Sequence, residues 1–178
     1  IATGALWLFI TVFFGLLLVF NFTRSLLPEN SLEYLSIHAH MGLVGWFLLL
    51  VIGVGSRLIP MFLISKYAST KTLWWIYILI NAALIGFIAL KTLHIYSQFY
   101  YTPFLLVLIA LVLFGNYCYK AYKIRIRKQV DQQMKISLLS VALLFLPLFS
   151  LFGVIYFIST NAEVPKIVLL YGFCIFFG

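Results

Sequence analysis

The feature that most constrains the fold is a succession of apolar runs, most of them close to the roughly 20 residues that a helix needs to cross a bilayer. They lie near residues 1–22, 31–59, 73–95, 103–119 and 136–159, and a further run begins at residue 167. Runs such as LVGWFLLLVIGVG are apolar on every face, whereas strands of a transmembrane barrel alternate apolar and polar residues. Only helices and closed barrels satisfy the backbone hydrogen bonds in lipid. The pattern therefore predicts an all-α, polytopic transmembrane helical bundle of about six spans.

Composition excludes a soluble domain. Of the 178 residues, 65% are hydrophobic and 9% are charged, whereas ordinary soluble domains carry about a quarter charged residues. No Pro-, Gly- or Ser-rich linker divides the chain, so residues 1–178 are predicted to form a single transmembrane domain. Since the last apolar run, residues 167–178, is too short to cross a bilayer, we expect that this span is cut short and that the chain is a segment of a longer protein.

Charge is distributed unevenly over the connections between the runs. The net charge is +8, and cations cluster around the second and fourth connections: Arg57, Lys66, Lys71, Lys120, Lys123, Arg125, Arg127, Lys128 and Lys135. The other connections hold three of the four acids, namely Glu29, Glu33 and Glu163. The positive-inside rule therefore predicts a multi-pass protein of the inner (cytoplasmic) membrane, with connections 60–72 and 120–135 in the cytoplasm. The expected partners are the lipid bilayer and other transmembrane subunits, and no nucleic acid, because basic runs beside membrane helices typically meet headgroups.

Two histidines, His38 and His40, lie inside the second apolar run, where ionisable groups are costly. Asn30, followed three residues later by Glu33, resembles a capping box, so the helix is expected to begin before the histidines. Residues i and i+2 of a helix point about 200° apart, so the pair suits two sites on opposite flanks rather than one shared metal ion. A neutral imidazole is a good axial ligand for heme iron. The alternative is that each histidine hydrogen-bonds a neighbouring helix or lies near the headgroups.

The sequence that begins at His38 carries a family resemblance. It reads HAHMGLVGWFLLLVIGVGSRLIPMF, which resembles the tenth helix of subunit I of the heme-copper oxygen reductases. In that family an HxH pair near the outer end of a helix is followed, twenty residues after the second histidine, by a proline with an aromatic residue two further on. Here Pro60 and Phe62 stand at those distances from His40, and Gly53 stands where the family has a glycine.

The resemblance implies that His38 ligates a high-spin heme iron and His40 a low-spin heme iron, so that the chain binds one or two hemes. It also implies a role in respiratory electron transfer and, if there is catalysis, an oxidoreductase of the heme-copper oxidase type. The chain departs from the family in two respects. No histidine precedes His38, so copper is possible only through residues outside this chain, and the adjacent arginine pair that contacts heme propionates in the family is absent from the sequence.

His94, at the outer end of the third apolar run, is a further candidate cofactor-binding residue, expected at about the level of the HxH pair. An interfacial histidine is the alternative at this position. The rival hypothesis for the whole chain is a multi-span transporter or accessory subunit without a redox cofactor, in which the histidines bind a metal ion, relay protons or only pack.

Aromatic residues near the ends of the runs are typical of membrane interfaces. Trp7, Trp74 and Trp75 have such positions and are predicted to be interfacial anchors. Trp46 lies deeper in its run and is predicted to pack in the core or against a cofactor. Cys118 and Cys174 lie in or beside apolar runs without CxxC spacing, which favours core packing over a disulfide framework or a zinc site.

Overall fold

The structure is a computed structural model that describes residues 1–94, 97–126, 132–143 and 145–159 together with residues 169 and 171. The helices of the described part are α1 (Ala2–Arg24), α2 (Ser31–Phe62), α3 (Thr70–Thr92), α4 (Tyr101–Lys123), α5 (Gln132–Leu143) and α6 (Phe145–Ser159). A short 3₁₀ turn, Ser97–Tyr100, precedes α4. The described residues are otherwise loops and turns, with one isolated antiparallel bridge between Ser65 and Arg125.

Several of these helices are long and apolar enough to span a membrane. They are Ala2–Arg24, Ser31–Phe62, Thr70–Thr92 and Tyr101–Lys123, and the stretch Gln132–Gly153, which takes in α5 and part of α6, also qualifies. Each overlaps an apolar run of the sequence, so the all-α prediction is confirmed for the described residues. Helix α4 continues to Lys123, beyond the run that ends near residue 119, because polar and basic residues can prolong a helix past its apolar part. The predicted run from residue 167 lies outside the described residues, apart from residues 169 and 171.

Helix α2 changes its geometry along its length. It begins as an α-helix over Ser31–His40, becomes π-helical over Met41–Leu48 and returns to α-helix over Leu49–Phe62. Such π-helical turns are rare and occur frequently at functional sites. Asn30 precedes the helix as its N-cap, but the predicted capping box is wrong, because the N–H of Glu33 donates to the backbone carbonyl of Asn30 and not to its side chain.

Helix α2 packs with α1 along its first half and its π-helical turn, while α3 packs most extensively with α4. Two side-chain hydrogen bonds join α1 to α3: Thr3 to Tyr77 at 3.2 Å, and the indole N–H of Trp7 to Oδ1 of Asn81 at 2.9 Å. The two bonds have the same separation in sequence, so α1 and α3 run parallel. The indole of Trp7 therefore joins two helices, and its role as an interfacial anchor stays a prediction.

The core lies where the second half of α2 meets α3 and α4. Its fully buried side chains include Leu63, Ile76, Ile80, Leu111 and Phe114. Cys118 is also buried among them, which confirms the packing predicted for this cysteine. Cys174 lies outside the described residues.

The connection between α1 and α2 is tied down by the buried side chain of Asn21. Its Nδ2 donates to the carbonyl of Glu29 and to Oγ of Ser31, both at 3.1 Å, and its Oδ1 accepts the N–H of Leu27 at 2.6 Å. Oγ of Ser31 in turn donates to the carbonyl of Leu18 at 2.8 Å. One amide therefore satisfies polar groups on both sides of the turn.

The change Asn21→Leu keeps a side chain of similar size and removes these bonds. We expect it to lower the free energy of unfolding by about 1–3 kcal/mol, because buried partners lose their hydrogen bonds. Denaturation in detergent micelles, followed by far-UV circular dichroism, measures the change. Thr23→Ala is the control, since Thr23 is exposed and bonds only to the carbonyl of Phe20 in its own helix. Equal stability of the two variants would contradict the role of Asn21.

Candidate functional site

His38 lies on the flank of α2 that faces α1. A Cβ atom added to Gly15 of α1 would lie 2.7 Å from Cε1 of His38, so the imidazole rests directly on the backbone of this glycine. The Nδ1 atom of His38 is buried, and within the described residues it has no hydrogen-bond partner. Buried polar atoms are nearly always hydrogen-bonded, so an unpartnered imidazole nitrogen indicates a position where a bound group or a water would complete the site.

His40 lies on another flank, between α3 and Tyr171. Its Nδ1–H donates to the carbonyl of Ser36 at 2.7 Å, and the hydroxyl of Tyr171 lies 3.2 Å from its Nε2. The ring centroid of Phe87 is 4.5 Å from that of the imidazole, and the Tyr171 ring stacks at 6.0 Å with its plane turned by 20°. With the proton on Nδ1, a neutral His40 carries its lone pair on Nε2, so Nε2 is the atom able to bind a metal or accept a proton.

The two histidines therefore contact different neighbours. His38 contacts α1 through Gly15, whereas His40 contacts α3 through Phe87 and the last described residue, Tyr171. The rings have different neighbours, which agrees with the separation of residues i and i+2 of a helix by more than half a turn, and two separate sites on this helix stay a prediction. The heme-ligand roles of His38 and His40 stay predictions.

His94 lies apart from the HxH pair in its described contacts. It follows the end of α3 with a φ of 50°, and its side chain is 69% exposed. Its Nε2 lies 3.0 Å from a carboxylate oxygen of Glu29, and both residues line a cavity of about 560 Å³ together with Glu33 and Asn21. Among the described contacts of His38 and His40, none is made with His94. Its cofactor-binding role stays a prediction, and the structure places it beside an acid at the end of the bundle.

The π-helical turn that follows His40 is closely packed. A Cβ atom at Gly45 would lie 2.7 Å from Cδ2 of Leu84 and 2.8 Å from Cγ of Trp7, so α1 and α3 both approach α2 at this residue. Sequence reasoning missed this contact, and it also missed the neighbours of the histidines, Gly15, Phe87 and Tyr171. No local pattern marks them, because each is far from the HxH pair in sequence and becomes its neighbour only through helix packing.

The resemblance implies a heme, and the residues can be tested for their fit to one. The unpartnered Nδ1 of His38 fits a ligand nitrogen in chemistry and burial. His40 has the arrangement common in metal-binding histidines, in which one ring N–H donates to a backbone carbonyl and fixes the tautomer of the other nitrogen. The hydroxyl of Tyr171 faces this second nitrogen, so a metal that binds Nε2 of His40 must displace the hydroxyl. Both imidazoles therefore have a nitrogen of the right chemistry for a ligand. Nδ1 of His38 lies against the Gly15 backbone and Tyr171 covers Nε2 of His40, so iron could bind at these nitrogens only if those neighbours moved.

No metal cluster made of protein side chains alone is found in residues 1–94, 97–126, 132–143 and 145–159, where no group of three or more His, Cys, Asp or Glu residues could hold an ion. Comparison of the chain with models of protein families, with curated proteins and with solved structures finds no match. The functional proposals therefore rest on the sequence motif and on the contacts of the described residues.

Proposed function

We propose that this chain is a heme-binding integral membrane protein of respiratory electron transfer that resembles subunit I of the heme-copper oxygen reductases. The observation that supports the proposal is the pair His38 and His40 on opposite flanks of α2, one with an unpartnered buried nitrogen and one with its tautomer set by Ser36. The proposal includes about six spans and cytoplasmic connections at 60–72 and 120–135.

The residues around the histidines each have a defined task in this proposal. Iron in a bound heme takes up and releases one electron. Gly15 leaves the His38 ring free of side-chain atoms on the α1 side, and the Ser36 carbonyl holds the proton of His40 on Nδ1. Phe87 packs on the His40 ring at 4.5 Å and limits its rotation. These contacts fix the orientation of the two imidazole rings.

The test is a reduced-minus-oxidised absorption spectrum of the detergent-purified full-length protein, with heme quantified as its pyridine hemochrome. We expect heme bands in protein from a heme-replete host, with one or two hemes per chain. Protein that remains free of heme bands after heme-supplemented expression would overturn the proposal.

The second candidate, a transporter or accessory subunit without a redox cofactor, is favoured by a different observation. The Ser36 carbonyl, the His40 ring and the Tyr171 hydroxyl form a continuous hydrogen-bonded chain, so both nitrogens of His40 already have protein partners. Intramembrane histidines in such chains occur on proton and ion pathways. In this case Tyr171 is a functional partner of His40, and its hydroxyl is needed.

The change Tyr171→Phe separates the two candidates, because it removes the hydroxyl that faces His40 Nε2 and keeps the aromatic ring. For a heme protein we expect unchanged or higher heme content in the variant, since a competitor for Nε2 is lost. For a proton-relay protein we expect loss of proton-coupled uptake in vesicles. Tyr119→Phe is the control, because the Tyr119 side chain is exposed on α4. Lower heme content in Tyr171→Phe alone would contradict the competitor role.

A further inference from the structure

One end of the bundle is strongly basic in the described residues. This basic end comprises the end of α2, the start of α3 and the end of α4, and it carries Arg57, Lys66, Lys71, Lys120, Lys123 and Arg125. The described carboxylates, Glu29 and Glu33, instead line the cavity beside His94 at the other end of α3. The other two acids of the chain lie outside the described residues. The described part of the basic end is therefore a surface of one sign of charge.

Two loops are joined at this end by backbone pairing. Ser65 and Arg125 form an antiparallel bridge, and the N–H of Ile126 donates to the carbonyl of Ile64 at 3.4 Å. Ile64 has a φ of 49°, a left-handed conformation that β-branched residues rarely adopt. The Arg125 guanidinium lies 3.8 Å from the centre of the Tyr122 ring and donates to the Tyr122 carbonyl at 2.8 Å. The pairing brings the cations of both loops onto one surface in a fixed register.

Aliphatic side chains are exposed on the same paired loops. Ile64, Ile124 and Ile126 are 55%, 53% and 59% exposed. Ile124 and Ile126 alternate along the chain with the cations Lys123 and Arg125, and Ile64 lies two residues before Lys66, so charge and apolar surface are interleaved. A soluble anion or a nucleic acid would need only the cations. Cations interleaved with exposed aliphatic groups instead suit the boundary between lipid headgroups and acyl chains, where both kinds of side chain are satisfied.

We propose that this surface, formed by residues 64–66 and 123–126, binds the headgroups of anionic phospholipids in the adjoining leaflet. The exposed lysines, Lys66 and Lys123, pair with lipid phosphates, and the isoleucines enter the start of the acyl region. Arg125, held by Tyr122 and by the bridge, keeps the two loops together. The proposal does not depend on heme, because it uses residues of the basic end alone.

The chain contains a natural reporter for this test. Trp74 and Trp75 lie in the first turns of α3 at the basic end and are 60% and 61% exposed. The full-length protein is reconstituted at low salt in phosphatidylcholine that contains the same fraction of either brominated phosphatidylglycerol or brominated phosphatidylcholine. Bromine quenches tryptophan only at short range. We expect stronger quenching by brominated phosphatidylglycerol, and a relative binding constant that falls roughly fivefold for each lysine changed in K66Q and K123Q.

Two kinds of control variant separate the effect of charge from the effect of position. K66R and K123R keep the charge and should keep the preference for phosphatidylglycerol. K91Q removes one cation at the far end of α3, roughly 25 Å from the reporters along the helix, and should leave the preference unchanged. Equal quenching of the wild type by both lipids would overturn the proposal, and so would an unchanged preference in the K66Q/K123Q double variant.

Discussion

His38→Ala is expected to remove one heme component from the spectrum and to leave the other, while His40→Ala is expected to have the complementary effect. The physical reason is that the two rings contact different helices, so loss of one donor leaves the surroundings of the other intact. Changes in the outer shell of a metal site already cost about 10- to 100-fold in affinity, and removal of the ligand itself should exceed this. Hemochrome quantification gives the heme content, and electron paramagnetic resonance separates high-spin from low-spin iron.

The variant His94→Ala tests the third histidine of the chain, the remaining predicted cofactor-binding residue. Its Nε2 contacts Glu29 and its side chain is largely exposed, so heme content at the wild-type level in this variant would remove His94 from the predicted cofactor-binding residues. A heme loss in His94→Ala equal to that in His38→Ala would make His94 a ligand and contradict two independent sites on α2. Complete loss of both components in each single variant would also contradict independence, because it would mean that the two sites form only together.

The helices were predictable from the sequence because each apolar run supplies enough length and hydrophobicity on its own. The opposite flanks of His38 and His40 were predictable for a similar reason, since the angle between residues i and i+2 is a property of one helix. The neighbours of the two rings depend instead on how helices pack. No local sequence pattern marks Gly15 as a neighbour of His38 or Phe87 as a neighbour of His40. Tyr171 likewise contacts His40 across 131 residues of sequence.

The hydrogen bond of Trp7 to Asn81 could not be predicted for a related reason. Its place near the end of an apolar run is typical of an interfacial anchor, but Asn81 on α3 offers an acceptor for its indole N–H within the bundle. The π-helical turn was equally hidden, because nothing in the sequence MGLVGWFL distinguishes a π-helix from an α-helix. Gly45 lacks a side chain where Trp7 of α1 and Leu84 of α3 lie against α2, and only the packed structure shows this crowding.

Gly45→Leu is expected to prevent the close approach of α1 and α3 to α2 and to lower the free energy of unfolding by more than about 3 kcal/mol, with about 1–3 kcal/mol for Gly45→Ala. The first Cβ atom alone would lie 2.8 Å from Cγ of Trp7 and 2.7 Å from Cδ2 of Leu84. The Leu84 methyl group can rotate away, but the Trp7 ring is held by its bond to Asn81. The steric cost therefore falls on the backbone separation of the helices. Denaturation of the purified variants in detergent measures the effect.

Two other glycines supply matched controls for this steric argument. A Cβ atom at Gly86 or at Gly115 meets no other atom within 4 Å, so alanine there adds helix propensity, worth about 1 kcal/mol, without a clash. We expect Gly86→Ala and Gly115→Ala to be neutral or stabilising, and Gly45→Ala to be destabilising, although all three make the same chemical change in a helix. Equal stability of all three variants would mean that the π-helical turn has room for a Cβ atom at Gly45. The steric argument would then be wrong. Because Gly45 follows His40 by little more than one turn, a destabilised Gly45→Ala that also loses heme would link the packing of this turn to the orientation of the histidines.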